Sequence, residues 1–222
     1  MKSLQENSGR EGRVPIEAVI FDCDGTLVDS ELLANEVLVE YAGGFGVPIS
    51  LEEALECYVG GRMADCVEDM EKRLGRKLPD SFVPELRART AEVFRSRLKA
   101  MEGAAEMLEA LQVPCCVASS GPPEKIELSL RLTGLLPKFE GRIFSAYEIG
   151  YWKPDPRLLL HAAHAMGVLP DRCAVVEDSL PGVRAGLAAG MTTFAFRWRG
   201  ALPDKAIALG RLQDLPQLIA TP

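Results

Sequence analysis

The sequence lacks any apolar run close to the roughly 18 residues that a membrane-spanning helix requires. It also lacks an excess of positive charge, because 32 acidic residues outnumber 25 Lys and Arg and give a net charge of -7. Such an acidic chain is a poor partner for nucleic acid or for an anionic membrane. It can still bind an anionic small molecule where cations cluster locally. We therefore expect a monomer with a small-molecule partner and with neither nucleic acid nor membrane as a partner.

No C-x-x-C pair occurs among the six cysteines, which are Cys23, Cys57, Cys66, Cys115, Cys116 and Cys173. Several of them lie within apolar, strand-like runs, a pattern that favours buried reduced thiols over a disulfide framework or a zinc site. The N-terminal stretch MKSLQENSGREGR has no apolar segment of the kind found in secretory signals. We therefore predict a cytoplasmic protein and interpret residues 1–14 as a flexible tail.

Short apolar runs, each followed by a turn and a helical pattern, recur along most of the chain. They are AVIF (18–21), CCVAS (115–119), RIFSA (142–146), CAVVE (173–177) and MTTFAF (191–196). Several of the helical patterns that follow begin with a Ser or Asp cap and a proline in the first turn. Strands that are apolar throughout and alternate with helices predict an α/β fold, with a parallel sheet covered on both faces.

Residues 31–99 interrupt this alternation, since they contain only helical patterns. The stretch SLEEALECYV opens with a capping box, in which Ser50 is followed three residues later by Glu53. No strand-like run separates the helices of this region. We therefore predict a helical cap at 31–99, inserted into a core formed by 15–30 and 100–222.

Polar side chains of a particular kind follow the predicted strands. The first strand runs into Asp22, the second ends in Ser119, and the fourth ends in Glu177 and Asp178. Lys153 lies in the loop after the third strand. Because the carboxyl ends of parallel strands meet at one edge of a sheet, we expect these groups to form a single site.

A cation is needed where so many carboxylates meet. Asp22, Asp24 and Asp178 would repel one another at close range unless a positive ion lay between them. Oxygen ligands of this kind suit Mg²⁺, which also accepts a phosphate oxygen of a substrate. The alternative, in which an acid merely caps the following helix, stays open for Asp178 more than for the first two aspartates. We expect a magnesium cofactor and a phosphorylated substrate.

The same residues can perform phosphoryl transfer. Asp22, the first residue after its strand, can attack phosphorus and form an aspartyl-phosphate. Asp24 can act as general acid and then as general base, because residues two apart in an extended segment point to the same side. Ser119 and the amide of Ser120 can bind a phosphoryl oxygen, and Lys153 can neutralise charge on that group and on the nucleophile.

Four segments, FDCDGTLVDS, VASSG, WKPDP and VVEDSLPG, resemble in order and spacing the four motifs of the haloacid dehalogenase-like hydrolase superfamily. The resemblance extends from about Ile16 to Gly190 and beyond. It implies a Rossmann-like core with five parallel strands and a helical cap inserted after the first motif. The chain is similar to the subgroup that contains phosphoglycolate phosphatases, sugar phosphatases and β-phosphoglucomutase.

The resemblance also implies roles for individual residues. Asp22 is the nucleophile and a Mg²⁺ ligand, and Asp24 is the acid/base that binds the metal through its backbone carbonyl. Asp178 is a further ligand, while Glu177 ligates either directly or through water. The motif serine and lysine keep the phosphoryl-binding roles given above.

The reaction class follows from the second acid of the first motif. Dehalogenases of this superfamily lack an aspartate at the position of Asp24, because halide leaves without a proton, so phosphoester hydrolysis is favoured. Mutases resembling β-phosphoglucomutase carry a histidine in the first helix and a lysine in the cap, and SELLANEVLVEYA contains neither. Phosphotransfer to a sugar and a non-catalytic ligand-binding module remain as alternatives.

The predicted cap offers one candidate for substrate recognition. Gly60 and Gly61 precede Arg62 between two cap helices, and in relatives a cap arginine at this place touches the substrate. The guanidinium fork of Arg62 suits a second anionic group, although a solvated arginine at a helix start is the alternative. We expect a small phosphorylated sugar or sugar acid. The stretch FSAYEIGYWKPDPRLLLHAAHAMGV resembles bacterial phosphatases of 6-phosphogluconate, mostly within the core motifs.

Overall fold

A computed structural model describes residues 14–220, which form a parallel sheet flanked by helices. The predicted α/β class is confirmed. Its strands are β1 (Ala18–Phe21), β2 (Cys115–Ser119), β3 (Ile143–Ser145), β4 (Cys173–Glu177), β5 (Thr192–Phe196) and β6 (Ile207–Leu209). Their spatial order is β3-β2-β1-β4-β5-β6, and each neighbouring pair is parallel. The predicted tail at 1–14 lies outside the described residues except for Val14.

The expected number of five strands is wrong, because residues 14–220 contain a sixth. The additional strand β6 pairs with β5 at the edge of the sheet, through partners such as Phe194 and Ile207. It has only three residues, and the middle one, Ala208, is exposed. It lies in the short apolar run AIAL (206–209), which the sequence analysis did not select as a strand.

Strand β1 is fully buried because both faces of the sheet are covered. Val19 and Phe21 pack into one hydrophobic cluster, whereas Ala18 and Ile20 pack into another. This alternation follows from the two-residue period of a strand. A core on each face explains why the central strands read as continuous apolar runs rather than as alternating patterns.

Two sets of helices cover the sheet. On one face lie α5 (Ala104–Ala110), α6 (Pro123–Leu132) and α10 (Leu215–Ala220). On the other face lie α7 (Ala146–Ile149), α8 (Arg157–Ala165) and α9 (Leu180–Ala188). The start of α9 is fixed by Ser179, whose Oγ accepts a 3.2 Å hydrogen bond from the amide of Gly182.

The described chain has no strand between Phe21 and Cys115. Before α5, this interval contains four helices, which are α1 (Glu31–Gly43), α2 (Leu51–Tyr58), α3 (Met63–Leu74) and α4 (Phe82–Arg97). They share a hydrophobic cluster of their own, which includes Met70, Phe82 and Leu86. The division into a core and a cap at 31–99 stays a prediction, and this all-helical interval agrees with it.

The strand order places a crevice at the centre of the sheet. From β1 the chain runs outward through β2 and β3 on one side, and β4 to β6 lie on the other. Ligands of open parallel sheets bind where the order reverses in this way, beyond the carboxyl ends of the strands. Asp22 follows β1 and Asp178 follows β4, so the crevice opens between these two aspartates. Of the described helices, none is long and apolar enough to span a bilayer.

Candidate active site

The centre of the site is a buried ion cluster around Lys153. Its Nζ lies 2.6 Å from Asp22 Oδ1 and 2.5 Å from Glu177 Oε1. The same ammonium donates a 2.7 Å hydrogen bond to the carbonyl of Ala118. Lys153 is 5% exposed and Glu177 is fully buried. One cation therefore ties together the ends of β1, β2 and β4.

All three members of this cluster have a raised pKa. Burial raises the pKa of Glu177 to about 7 and raises that of Asp22 above its ordinary value, although Lys153 opposes both shifts. Burial alone would lower the pKa of Lys153, but the charges of Asp22 and Glu177 raise it. The lysine therefore stays charged. Its single ammonium offsets only part of the unfavourable desolvation of the two carboxylates.

Asp22, Glu177 and Asp178 form a group of carboxylates that can hold a metal ion. Each offers one oxygen, and these oxygens lie within 4.8 Å of one another. Burial raises the pKa of Asp178 well above its ordinary range, and the charge of Asp22 adds to this shift. An all-oxygen donor set under mutual repulsion fits a hard divalent cation. Glu177 also accepts a 3.1 Å hydrogen bond from Ser179 Oγ through its other oxygen.

Gly25 allows the motif loop to pass directly against Asp178. Its φ of +74° lies in the left-handed region, and a Cβ at this position would be 1.9 Å from Asp178 Oδ2. Only glycine can meet both requirements. The neighbouring Thr26 Oγ1 donates a 3.3 Å hydrogen bond to Asp178 Oδ1 and so helps to orient this carboxylate.

Asp24 has polar partners that differ from those of Asp22, Glu177 and Asp178. Its Oδ1 accepts a 2.6 Å hydrogen bond from Ser30 Oγ, and its Oδ2 lies 2.9 Å from Lys125 Nζ. Burial would raise the pKa of Asp24, but Lys125 and Ser30 bring it below its ordinary value. The two aspartates of the first motif therefore lie in different electrostatic surroundings. Each has its own lysine, as two separate roles require.

Lys125 and Glu31 are site residues that the sequence analysis missed. Lys125 lies in the first turns of α6, and Glu31 is the first residue of α1. Burial, together with Asp24, raises the pKa of Glu31 to about 7. In the sequence each residue looks like an ordinary charged residue near a helix start. The only available signal was that each follows a motif within a few positions.

The loop after β2 offers hydrogen-bonding groups for a phosphoryl oxygen. Ser119 Oγ accepts a 3.0 Å hydrogen bond from the amide of Gly121, and Ser145 Oγ donates a 2.7 Å bond to the Gly121 carbonyl. Ser120 Oγ is buried and has no hydrogen-bond partner within the described chain. A buried hydroxyl without a partner is costly unless a ligand completes it.

A cavity of about 490 Å³ covers these groups. Its floor comes from residues that the sequence analysis selected, namely Asp22, Asp24, Ser119, Ser120, Lys153 and Asp178. Helices α1 to α4 supply most of the opposite wall, which includes Asn35, Leu38, Tyr58, Leu86, Arg87, Thr90, Phe94 and Arg95. The selected core residues therefore line one cavity, except for Glu177, whose Oε1 lies 2.5 Å from Lys153 Nζ.

Arg62 does not belong to the described lining of this cavity. Its guanidinium lies over the Trp152 ring, 4.7 Å from the ring centroid. The preceding glycine pair packs closely, since a Cβ on Gly60 would be 2.6 Å from Ser179 Cβ. Gly60 thus allows this loop to approach Ser179 of the fourth motif. The role of Arg62 in substrate recognition stays a prediction.

Comparisons with known proteins agree with this geometry. A family profile described as haloacid dehalogenase-like hydrolase matches residues 16–190. The chain is 37% identical to 6-phosphogluconate phosphatase of Escherichia coli (strain K12), over 91% of this chain and 94% of that protein. It is 30% identical to hexitol phosphatase B of the same organism, over 92% of this chain and 95% of that protein. A crystal structure of a HAD family hydrolase from Deinococcus radiodurans R1, with bound phosphate and sodium, superposes with a TM-score of 0.73. That structure is 32% identical, with 93% of this chain and 96% of that chain covered.

Proposed function

Because this chain belongs to the haloacid dehalogenase-like hydrolase family, we propose that it hydrolyses a small phosphorylated sugar or sugar acid, such as 6-phosphogluconate. The observation that carries the proposal is the pairing of two neighbouring aspartates with two different lysines on one cavity floor. Asp22 pairs with Lys153, and Asp24 pairs with Lys125. This arrangement supplies a nucleophile and a separate proton carrier side by side.

In the first step, a carboxylate oxygen of Asp22 attacks the phosphorus while the bond from phosphorus to the ester oxygen breaks. Asp24 gives its proton to the departing oxygen. The negative charge of the bound substrate opposes the effect of Lys125 and so favours the protonated form of Asp24. Lys153 and the hydroxyls of Ser119 and Ser120 stabilise the charge on the transferred group.

In the second step, Asp24 removes a proton from water, which attacks the phosphorus of the aspartyl-phosphate. The bond to Asp22 breaks, and inorganic phosphate and the free carboxylate result. The lowered pKa of Asp24 suits this step, because a deprotonated carboxylate is the form that accepts the proton.

We propose that Mg²⁺ is the metal, held by Asp22, Asp178 and the backbone carbonyl of Asp24, with Glu177 as a direct or water-mediated ligand. When bound, the ion would neutralise charge on the phosphoryl group and on the surrounding carboxylates. The support is the group of oxygen donors within 4.8 Å of one another. All three donors have raised pKa values, chiefly because they are buried.

Two relatives support the substrate class, since one is named 6-phosphogluconate phosphatase and the other hexitol phosphatase B. Arg62 remains our proposed contact for a second anionic group. We further propose a cytoplasmic monomer. The support is that all six cysteines are free thiols and that one chain supplies both the floor and the opposite wall of the cavity.

Turnover should require a divalent ion. We expect the protein to release phosphate from p-nitrophenyl phosphate and from several members of a panel of sugar and sugar-acid phosphates when Mg²⁺ is present. Removal of the metal with EDTA should reduce the rate to background, and added Mg²⁺ should restore it, while the circular dichroism spectrum stays constant. Release of an isomeric sugar phosphate instead of free phosphate would indicate a mutase. Ligand binding without any turnover would indicate a binding module.

A further inference from the structure

Helix α4 contributes two arginines to the wall of the cavity. Arg87, Ala91 and Arg95 are four residues apart and all line the space, next to the parallel row of Leu86, Thr90 and Phe94. Residues four apart share one face of a helix, so both rows face the same way. This wall carries no acidic residue of α4, whereas the floor opposite is rich in carboxylates. Helix α4 therefore contributes only positive charge to the cavity.

Arg87 is fixed by a tyrosine from the other side of the cavity. Its Nη2 donates a 2.8 Å hydrogen bond to Tyr147 Oη, and its guanidinium lies 5.2 Å from the centroid of the same ring. Tyr147 belongs to α7, which follows β3, and its ring packs edge-on against Trp152 at 5.4 Å. Both partners line the cavity. The pair therefore joins α4 to the core at the wall of the substrate space.

The chemistry of this pair selects a particular ligand. The phenol oxygen accepts a hydrogen bond from Arg87, so its own O–H proton is directed to another acceptor. The guanidinium has five N–H donors in a fixed fork, and the bond to Tyr147 uses one of them. The site therefore offers several donors that converge from two residues. A carboxylate, which only accepts hydrogen bonds and has two oxygens, is the group that matches it.

The two aspartates of the first motif, on the cavity floor, already have cations of their own. Asp22 pairs with Lys153, and Asp24 pairs with Lys125. Arg95, the other arginine of the row, has an exposed partner in Glu92 at 3.6 Å. Arg87 instead has a neutral partner, and its positive charge is not compensated by the phenol. An anionic substrate group is the natural complement to that charge.

We propose that Arg87 and Tyr147 form the subsite for a carboxylate at the end of the substrate opposite the phosphoryl group. This subsite is next to Arg62, whose guanidinium lies over the Trp152 ring against which Tyr147 packs. The enzyme then prefers sugar-acid phosphates over sugar-alcohol phosphates of the same length. The inference rests on the proposed function, because it takes the phosphoryl group to be bound at Asp22.

The test compares two substrates that differ only at the remote end, 6-phosphogluconate and glucitol 6-phosphate, with p-nitrophenyl phosphate as a reference. The variants are Arg87→Gln, which removes the charge, and Tyr147→Phe, which keeps the ring against Trp152. Arg89→Gln is the matched control, because Arg89 lies on the same helix and stacks over Tyr41 at 4.6 Å, outside the described cavity lining.

We expect Arg87→Gln to lower kcat/KM for 6-phosphogluconate by about 10- to 100-fold, the range for a lost hydrogen bond to a charged group. Tyr147→Phe should lower it by roughly 5- to 10-fold, as for a lost neutral donor. The loss should lie mainly in KM, since the remote end binds equally in ground and transition states. Rates with the other two substrates should change by less than about 3-fold, and Arg89→Gln should match the wild type throughout.

Equal losses on both sugar substrates would overturn the subsite, because they would show a general structural role for the pair. An unchanged rate with 6-phosphogluconate in both variants would also overturn the subsite. The same holds if the wild type hydrolyses glucitol 6-phosphate and p-nitrophenyl phosphate but not 6-phosphogluconate. A wild type that hydrolyses none of the three with Mg²⁺ would refute the proposed function and the subsite together. Melting temperatures close to that of the wild type establish that the variants are folded.

Discussion

Asp22→Asn is expected to abolish turnover, with a loss in kcat on the order of 10⁴-fold or more, as is typical when a covalent nucleophile is removed. The amide oxygen of asparagine is too weak a nucleophile to displace an ester oxygen from phosphorus. The substitution is nearly isosteric, and the amide oxygen can still accept the hydrogen bond that Lys153 donates at 2.6 Å. The fold should therefore persist, with an unchanged circular dichroism spectrum and steady-state rates near background.

Asp29→Asn provides the matched control for this loss. Asp29 belongs to the same motif segment as Asp22 but is exposed, and it is absent from the described cavity lining. Its substitution should leave kcat within a factor of about two. A residual rate in Asp22→Asn within about tenfold of the wild type would show that Asp22 is not the nucleophile.

Lys153→Met is expected to damage both activity and stability. The substitution leaves the buried carboxylates of Asp22 and Glu177 without their shared cation. Removal of one partner from a buried ion pair costs about 3–5 kcal/mol in the free energy of unfolding. In the proposed mechanism Lys153 also stabilises the transferred phosphoryl group, so its loss should lower kcat by a further 10²- to 10³-fold, the range for a lost electrostatic contact in an active site.

The stability loss in Lys153→Met should depend on pH. Glu177 already has a raised pKa of about 7 with the lysine present, and removal of the lysine takes away an influence that lowers it. A carboxyl group whose pKa is higher in the folded state than in the unfolded state loses folding stability as the pH rises through that folded value. Urea denaturation should therefore show a larger loss in the free energy of unfolding at pH 8 than at pH 5.5.

Lys138→Met, at an exposed lysine, is the control. A loss below about 1 kcal/mol that does not vary with pH would contradict the central place given to Lys153.

The sequence predicted the core of the fold well because its central strands are buried on both faces. Such strands leave uninterrupted apolar runs, as in β1 and β4, and the runs end where the polar site begins. The site residues of the core could be predicted for the same reason, since a parallel sheet brings the ends of its strands to one edge. Edge strand β6 escaped prediction because three apolar residues are too short a run to distinguish a strand from a turn of helix or a loop.

The opposite wall of the cavity could not be predicted in the same way. Helical periodicity shows which residues share a face, but it does not show what that face meets. Arg87 and Arg89 are both charged residues of α4, yet only Arg87 belongs to the described cavity lining. Its contact with Tyr147 joins positions 60 residues apart and depends on how α4 packs over the core. Lys125 escaped notice similarly, because its role depends on an aspartate from another strand end.

The most direct test of phosphoryl transfer to Asp22 uses Asp24→Asn with p-nitrophenyl phosphate and Mg²⁺. The p-nitrophenolate group leaves without needing a proton, so the first step survives, whereas the second step lacks its general base. We predict a rapid release of p-nitrophenolate equal to the enzyme concentration, followed by a slow phase. Acid quench and peptide mass spectrometry should then find one phosphoryl group on Asp22. Release without a rapid phase and with an unmodified protein, or a phosphoryl group on another residue, would contradict the proposed mechanism.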